Sequence, residues 1–262
     1  MNGNSFFKKK GTVGCLLIHG LTASTQEMEE LSLFLYKRGY TILVPLLDGH
    51  NTSIRNLDQT SWMDWYRSLE DAHNFLTRNC SKIHLIGQSI GATLSLYYIA
   101  NKRPLITSLV LLAPAIFYTN SLLPLAPALK YFKKYKQKDY SKHYPNRKDA
   151  FFDILDEEAS KNRIAYKKVP LSSLSSALDL IKKVKPELKR ITLPTLLIHS
   201  NQDHTIKPKS SKYIYDNIKT QNKKLIYLKE SGHVVSVDVE KDIVFKGIFQ
   251  FLQLVERQII PP

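Results

Sequence analysis

The segment Ile83-His84-Leu85-Ile86-Gly87-Gln88-Ser89-Ile90-Gly91-Ala92-Thr93-Leu94 decides how the rest of the chain is read. Its first four residues form a short apolar run closed by a glycine, as in a buried strand, and Ala92, Thr93, Leu94 and Leu96 open a helix. Between them stands Gly87-Gln88-Ser89-Ile90-Gly91, a G-x-S-x-G pentapeptide. Such letters arise by chance too often to carry weight alone. Set between a strand and a helix, they describe a tight turn that holds a serine hydroxyl at the C-terminal edge of a sheet. The bland alternative is a serine that caps a helix after a glycine turn.

Strands and helices alternate on both sides of this segment. Val13 to Ile18 is a near-continuous apolar run, expected for a strand buried on both faces, with Ser5 to Phe7 pairing onto it through a Lys8 to Gly11 turn. Ser24 with Glu27 has capping-box spacing and opens a helix through Leu31, Phe34 and Leu35 that stops at Gly39. Tyr40 to Val44 is the next strand, Ser61 with Asp64 starts a helix bearing Trp62, Trp65, Leu69 and Leu76, and Ile106 to Ala113 is a further strand. Pro114 to Arg190 then reads as several short helices without a clear strand. The strand pattern resumes at Thr195 to His199, followed by a helix over Pro208 to Ile218 and a last strand at Leu225 to Leu228. Asp238 is expected to cap a final helix that turns Ile243, Val244, Phe251, Leu252 and Val255 inward. The pattern predicts an α/β fold class, a mainly parallel sheet flanked by helices, with residues 1–113 and 191–262 as the core and 114–190 as a helical insertion.

A serine hydroxyl is a poor nucleophile at neutral pH and needs a histidine base held by a third group. Of eight histidines, His233 stands in Glu230-Ser231-Gly232-His233, after the last strand, where a side chain can reach across the sheet edge. The acid should lie between Ser and His in the chain. Asp203 does so, just after the strand that ends at His199, whereas Asp139, Asp149, Asp153, Asp156 and Asp179 fall in the insertion and Asp216 falls in a helix. Two backbone N–H donors would receive the oxyanion, one after the nucleophile and one in the loop after the first long strand. Ile90 and Leu21 hold those places, and His19 is expected to fix the second loop by hydrogen bonding rather than to act as a base.

Composition narrows the classes. The 262 residues carry 38 Lys+Arg against 23 Asp+Glu, a net +15 that by itself fits a nucleic-acid binder, a membrane-surface protein or an enzyme with a lysine-rich surface. Residues 130–190 contain 17 Lys+Arg and 8 Asp+Glu, so +9 of that charge sits in the insertion. No nucleic-acid module accompanies it, and no nucleic-acid partner is expected. Two cysteines, Cys15 and Cys80, exclude a disulfide framework and suit reduced thiols in a cytoplasmic protein. No signal peptide is read in the first residues. The uncharged stretch Pro104 to Leu129 is long enough to raise a membrane span, but its four prolines argue for a buried strand and an apolar loop.

These features together resemble the α/β-hydrolases, in particular bacterial carboxylesterases and monoacylglycerol lipases. The resemblance is carried by His19-Gly20-Leu21-Thr22, Pro45 to His50 with its Gly49-His50 pair, Asp64-Trp65, Gly87 to Gly91, Pro194 with Asp203, and Ser231-Gly232-His233-Val234 followed by Asp238, Glu240, Lys241 and Asp242. It implies Ser89 as nucleophile, Asp203 as acid, His233 as base, and the Leu21 and Ile90 amides as oxyanion hole, with no metal or organic cofactor. It also implies a helical cap at 114–190 over the site, in which Leu122, Leu123, Leu125 and Leu129 would line an acyl channel or pack the cap on itself. Leu21 stands where the family commonly has Phe, Ile90 where it has Met, and Asn51 where glycine often follows Gly49-His50. The first two changes keep the backbone donors but alter the pocket wall. The expected substrates are carboxylic esters, monoacylglycerols first. Lysophospholipids, thioesters and a non-catalytic ligand-binding role are the alternatives. Lys133, Lys134, Lys136 and Lys138 beside Tyr131, Phe132 and Tyr135 suit contact with an anionic lipid surface.

Overall fold

Short, mostly apolar runs make the strands of the main sheet, and the order in which those strands pair sets where each connecting turn emerges. A computed structural model describes residues 2–147 and 150–259. In chain order the elements are β1 (Phe6–Lys8), β2 (Val13–Ile18), α1 (Glu29–Lys37), β3 (Thr41–Val44), α2 (Ile54–Gln59), α3 (Trp62–Thr77), β4 (Lys82–Gln88), α4 (Ile90–Lys102) and β5 (Ser108–Leu112). They continue as α5 (Ala126–Leu129), β6 (Tyr135–Gln137), α6 (Glu157–Lys161), β7 (Lys168–Pro170), α7 (Leu171–Glu187), β8 (Thr195–Ser200), α8 (Lys209–Asn217), β9 (Lys223–Leu228) and α9 (Lys241–Ile259).

Seven strands form one sheet in the order β1-β3-β2-β4-β5-β8-β9. All its pairs are parallel except β1 with β3. β1 therefore lies on the outer edge of β3 and not on β2, because β3 and β4 already occupy both sides of β2. Parallel register brings the C-terminal ends together: Ile18 pairs with Gly87, Gln88 with Leu112, Leu112 with Ile198, and Ser200 with Leu228. The turns after β2, β4, β8 and β9 thus leave the sheet along one edge, where open α/β sheets place their ligands.

Side chains alternate across the strands, so each face buries its own cluster. Leu16, Leu85, Leu109 and Leu197 pack with Trp65, Leu69, Leu96, Ala177, Leu180 and Ile214 from α3, α4, α7 and α8. Leu17, Ile86, Val110 and Ile198 pack with Leu31, Leu35, Val244, Phe251 and Leu252 from α1 and α9. Ile243, expected inward, is 53% exposed, one position off the buried stripe that begins at Val244.

The stretch between β5 and β8 interrupts a sheet in which those two strands are neighbours. It holds more than short helices: β6 and β7 form an antiparallel ribbon of three residues each, too short for alternation to show in sequence. α7 is 17 residues long: its Leu171 and Leu174 pack with Leu123, Ala126 and Val169 of the insertion, and its Ala177, Leu180, Ile181 and Val184 join the cluster of α3 and α4. Ser108 to Leu112 of the uncharged stretch is the buried strand β5, and among the described residues no helix is long and apolar enough to cross a membrane. Cys15 and Cys80 are free thiols.

Candidate active site

Ser89 sits between β4 and α4 at φ 55° and ψ −118°, a left-handed conformation that a serine adopts only when its surroundings impose it. The glycines two residues away explain how. A Cβ on Gly87 would stand 2.6 Å from the Ala92 backbone, and one on Gly91 would stand 2.5 Å from the carbonyl oxygens of Ile18 and His19. Only bare backbone lets α4 start so close to β4 and β2. The hydroxyl is thereby lifted from the sheet edge into a cavity of about 650 Å³, within the range of small-molecule sites.

His233 enters from the turn after β9. Its Nε2 lies 2.8 Å from Ser89 Oγ, and its Nδ1 lies 2.7 Å from Asp203 Oδ2. Asp203, in the turn after β8, accepts N–H bonds at Oδ1 from Thr205 at 2.9 Å and Ile206 at 2.7 Å, and His199 Nε2 approaches Oδ2 at 3.0 Å. Burial opposes its charge, but the His233 and His199 rings and these donors outweigh it and hold the carboxyl well below the usual range. An ionised Asp203 fixes the His233 proton on Nδ1 and leaves the Nε2 lone pair to accept from the serine hydroxyl. Burial likewise opposes a charge on His233, yet the Asp203 carboxylate prevails and its pKa is raised.

Leu21 and Ile90 both line the cavity. Ile90 is the first residue of α4, so its N–H has no preceding helical turn to donate to, and the Leu21 N–H makes no backbone hydrogen bond to another described residue. His19 has a structural part. Its Nε2 accepts from the Leu47 N–H at 3.0 Å, its Nδ1 lies 2.9 Å from the Gly20 carbonyl, and burial holds its pKa down to about 4.

Several residues around the site were not legible as such. Ser24 and Glu27 do not form a capping box. Ser24 caps a single 3-10 turn over Thr25–Met28, while Glu27 is buried and accepts from the Gly20 N–H and, at 2.6 Å, from Arg163. The spacing is the same for either role, so nothing in the sequence separates them. Asp153, set aside with the insertion, is 3% exposed, and its carboxylate accepts from Tyr144 OH at 2.8 Å, the His204 N–H at 2.8 Å and Thr205 Oγ1 at 2.9 Å. Its carbonyl takes the His233 N–H at 2.9 Å. Burial first and the Asp203 charge second raise its pKa. Asp238 does not cap α9, which starts at Lys241. It accepts from the N–H groups of Leu155, Asp156, Gly232 and Val239 at 2.7–2.9 Å and so ties the His233 turn to the insertion.

Of the leucines expected to line the pocket, Leu123 does. Leu122 and Leu125 do not. The 3-10 turn that carries them is anchored by Leu123 alone and leaves them 64% and 52% exposed, and Leu129 is 42% exposed. The insertion's lysines divide as well: Lys133 is exposed, Lys134 pairs with Asp58 at 3.2 Å, and Lys136 and Lys138 turn into the cavity.

Residues 9–240 match the model of the Hydrolase_4 family, described as serine aminopeptidase, S33. The chain is 29% identical over 246 residues to a thermostable monoacylglycerol lipase of Bacillus sp. (strain H-257), covering 94% of this chain and 92% of that one. It is 28% identical over 249 residues to a carboxylesterase of Bacillus subtilis (strain 168), covering 95% of each. Among solved structures, one from a study of the metagenome-derived lipolytic enzymes LipS and LipT superposes with a TM-score of 0.87 at 22% identity, over 96% of this chain and 98% of that one. The monoacylglycerol lipase of Paleococcus ferrophilus does so with 0.78 at 19% identity, over 97% and 99%. The chain has the α/β-hydrolase fold and belongs to the Hydrolase_4, serine aminopeptidase S33, family.

Proposed function

We propose that the protein is a serine hydrolase of carboxylic esters, with monoacylglycerols as its leading substrate class. The observation that carries this is the continuous chain from Ser89 Oγ to His233 to Asp203, at 2.8 and 2.7 Å, on a serine held at positive φ. His233 takes the hydroxyl proton as Ser89 Oγ bonds to the ester carbonyl carbon, and Asp203 keeps the ring oriented and stabilises the imidazolium. The Leu21 and Ile90 amides receive the oxyanion. His233 returns the proton to the departing alcohol, and a water activated by the same ring then releases the acid from Ser89. The relatives named monoacylglycerol lipase and carboxylesterase support an ester as the substrate.

Residues 114–190 serve in this proposal as a cap over the cavity, which α7 joins to the core through Ala177, Leu180 and Ile181. The exposed Leu122, Leu125, Leu129, Tyr131 and Phe132 beside Lys130 and Lys133 suit transient contact of the cap with an anionic lipid surface. Turnover of a monoacylglycerol faster on anionic than on neutral vesicles is the expected result; equal rates remove that contact.

The central test is a fluorophosphonate probe together with 4-nitrophenyl esters from acetate to palmitate, a monoacylglycerol, a lysophospholipid and an acyl-thioester. Covalent labelling of Ser89 and the highest kcat/KM on a carboxylic ester are expected. A folded protein that takes no label points instead to a ligand-binding protein, and a higher kcat/KM on the thioester moves the substrate class.

A further inference from the structure

The cavity wall beside Ser89 and His233 includes three cations from the insertion, Lys136, Lys138 and Arg163. The carboxylates around them are already engaged. Glu27 accepts from Gly20 and Arg163, Asp153 from Tyr144, His204 and Thr205, and the exposed Asp139 from the Ser141 N–H at 2.9 Å. The cations are less well supplied. Arg163 is 9% exposed at its side chain, and its Nε is buried with no hydrogen-bond partner among the described residues. The Lys138 ammonium has three N–H donors and, among the described residues, meets one acceptor, the Thr22 hydroxyl. Both cations stand over the ring of Phe152, at 5.3 and 5.4 Å from its centre, so they share one wall.

Arg163 already has Glu27 as its counterion, whereas Lys138 makes no ion pair among the described residues, and a cation held partly out of water in that way is stabilised by a matching anion. Burial, aided by the Arg163 charge, lowers the Lys138 pKa to about 7 against the opposing pull of Glu27. We propose that Lys138 and Arg163 form an anion-binding subsite that selects esters carrying a carboxylate or phosphate in the same molecule as the scissile bond. Lys138 offers its remaining N–H groups as a point charge, and the Arg163 guanidinium on the same wall adds positive charge beside it, a pairing that suits an oxyanion. The cavity volume of about 650 Å³ accommodates such a head group beside an acyl chain. The subsite rests on the hydrolase reading for its place beside a nucleophile.

Two matched pairs of substrates test it on the full chain. Mono-4-nitrophenyl succinate against 4-nitrophenyl pentanoate places the anion on the acyl side, and a 1-acylglycerol 3-phosphate against the same 1-acylglycerol places it on the alcohol side. In one pair the anionic ester is expected to have a kcat/KM at least about tenfold higher, and which pair does so identifies the anion's position. Lys138→Met should abolish that ratio and Lys138→Arg should retain most of it. A purely structural part for Lys138, through Thr22, lowers both members of a pair alike and leaves the ratio unchanged. That outcome, or wild-type ratios near or below one in both pairs, overturns the proposal.

Calorimetry with hexyl phosphate reads the subsite without turnover. Binding weakened at least about tenfold in Lys138→Met supports it, and equal binding to both proteins or none to wild type rejects it. A protein that hydrolyses no ester yet binds hexyl phosphate through Lys138 loses the hydrolase reading and keeps the subsite. One that hydrolyses neutral and anionic esters alike keeps the first and loses the second.

Discussion

The sheet edge and the insertion both converge on Ser89, but they hold their residues by different means. Ser89, Asp203 and His233 sit in turns that directly follow β4, β8 and β9, so strand register fixes them. Asp153 and Arg163 come from a stretch whose ribbon spans three residues per strand, and they reach the site by gripping its loops through buried polar contacts. The groups proposed to react are thus set by the architecture, whereas the loops around them are set by a few long-range polar bonds. Changes in the first region should therefore remove chemistry at constant stability, and changes in the second should remove stability together with part of the rate.

The largest effect is expected from Ser89→Ala. With the proposed nucleophile gone, kcat on 4-nitrophenyl butyrate should fall by roughly 10⁴-fold or more. The thermal midpoint should stay within a degree or two, since alanine meets the same backbone constraint. A large drop in the midpoint would break the comparison, because it would make the serine part of the structural support.

Asp203→Asn comes next, with a loss of about 10³ to 10⁴ at neutral pH, since an amide no longer favours the Nδ1–H tautomer. In the unaltered protein only neutral His233 can accept the serine proton, and its pKa lies above the ordinary 6.5, so kcat/KM should decline as pH falls through a midpoint above 6.5. The Asn variant should move that midpoint downward by removing the carboxylate. The stability carried by the same shift has the opposite sense: it is full below pH 6.5 and disappears as pH rises through the folded-state value. A pH–rate profile and a pH series of unfolding midpoints check the two signs separately.

Glu27→Ala probes the second region. Breaking a buried pair leaves Arg163 without its counterion, so stability should fall by about 3–5 kcal/mol. The Gly20 N–H also loses its acceptor, and kcat should fall roughly 10- to 100-fold as the Leu21 donor loses its fixed position. Adding Arg163→Met should restore stability more than rate. A Glu27→Ala protein as stable as the original would dissolve the distinction between the regions. The smallest effect belongs to Leu125→Ala, which at an exposed position should change stability by less than about 0.5 kcal/mol and leave chain-length preference intact, while Leu123→Ala in the cavity wall shifts that preference.

Legibility in the sequence follows the same division. The meeting of the G-x-S-x-G turn, Asp203 and His233 at one sheet edge could be read because each follows a strand that an apolar run announces, and the place of His19 because it follows one directly. The antiparallel partner of β1 could not, since pairing depends on which neighbours β2 already has and not on β1 itself. Glu27 and Asp238 were misread for a common reason. A carboxylate near a helix start looks like a cap in sequence, and only the fold shows that the backbone N–H groups it serves lie in another loop. The β6–β7 ribbon and the contribution of Asp153 were hidden because strands of three residues and a lone acid among many leave no periodic trace.

The carbonyl of Asp153 takes the amide proton of His233, and Asp238 holds the peptides on both sides of that contact. The His233 amide is therefore shielded only while the 153–156 strip is seated against its turn. Its deuterium uptake becomes a clock for the insertion: each excursion of that strip bares one identifiable proton. Site-resolved exchange in heavy water, with and without a bound acyl product, would time the opening of the site from the backbone of His233 itself.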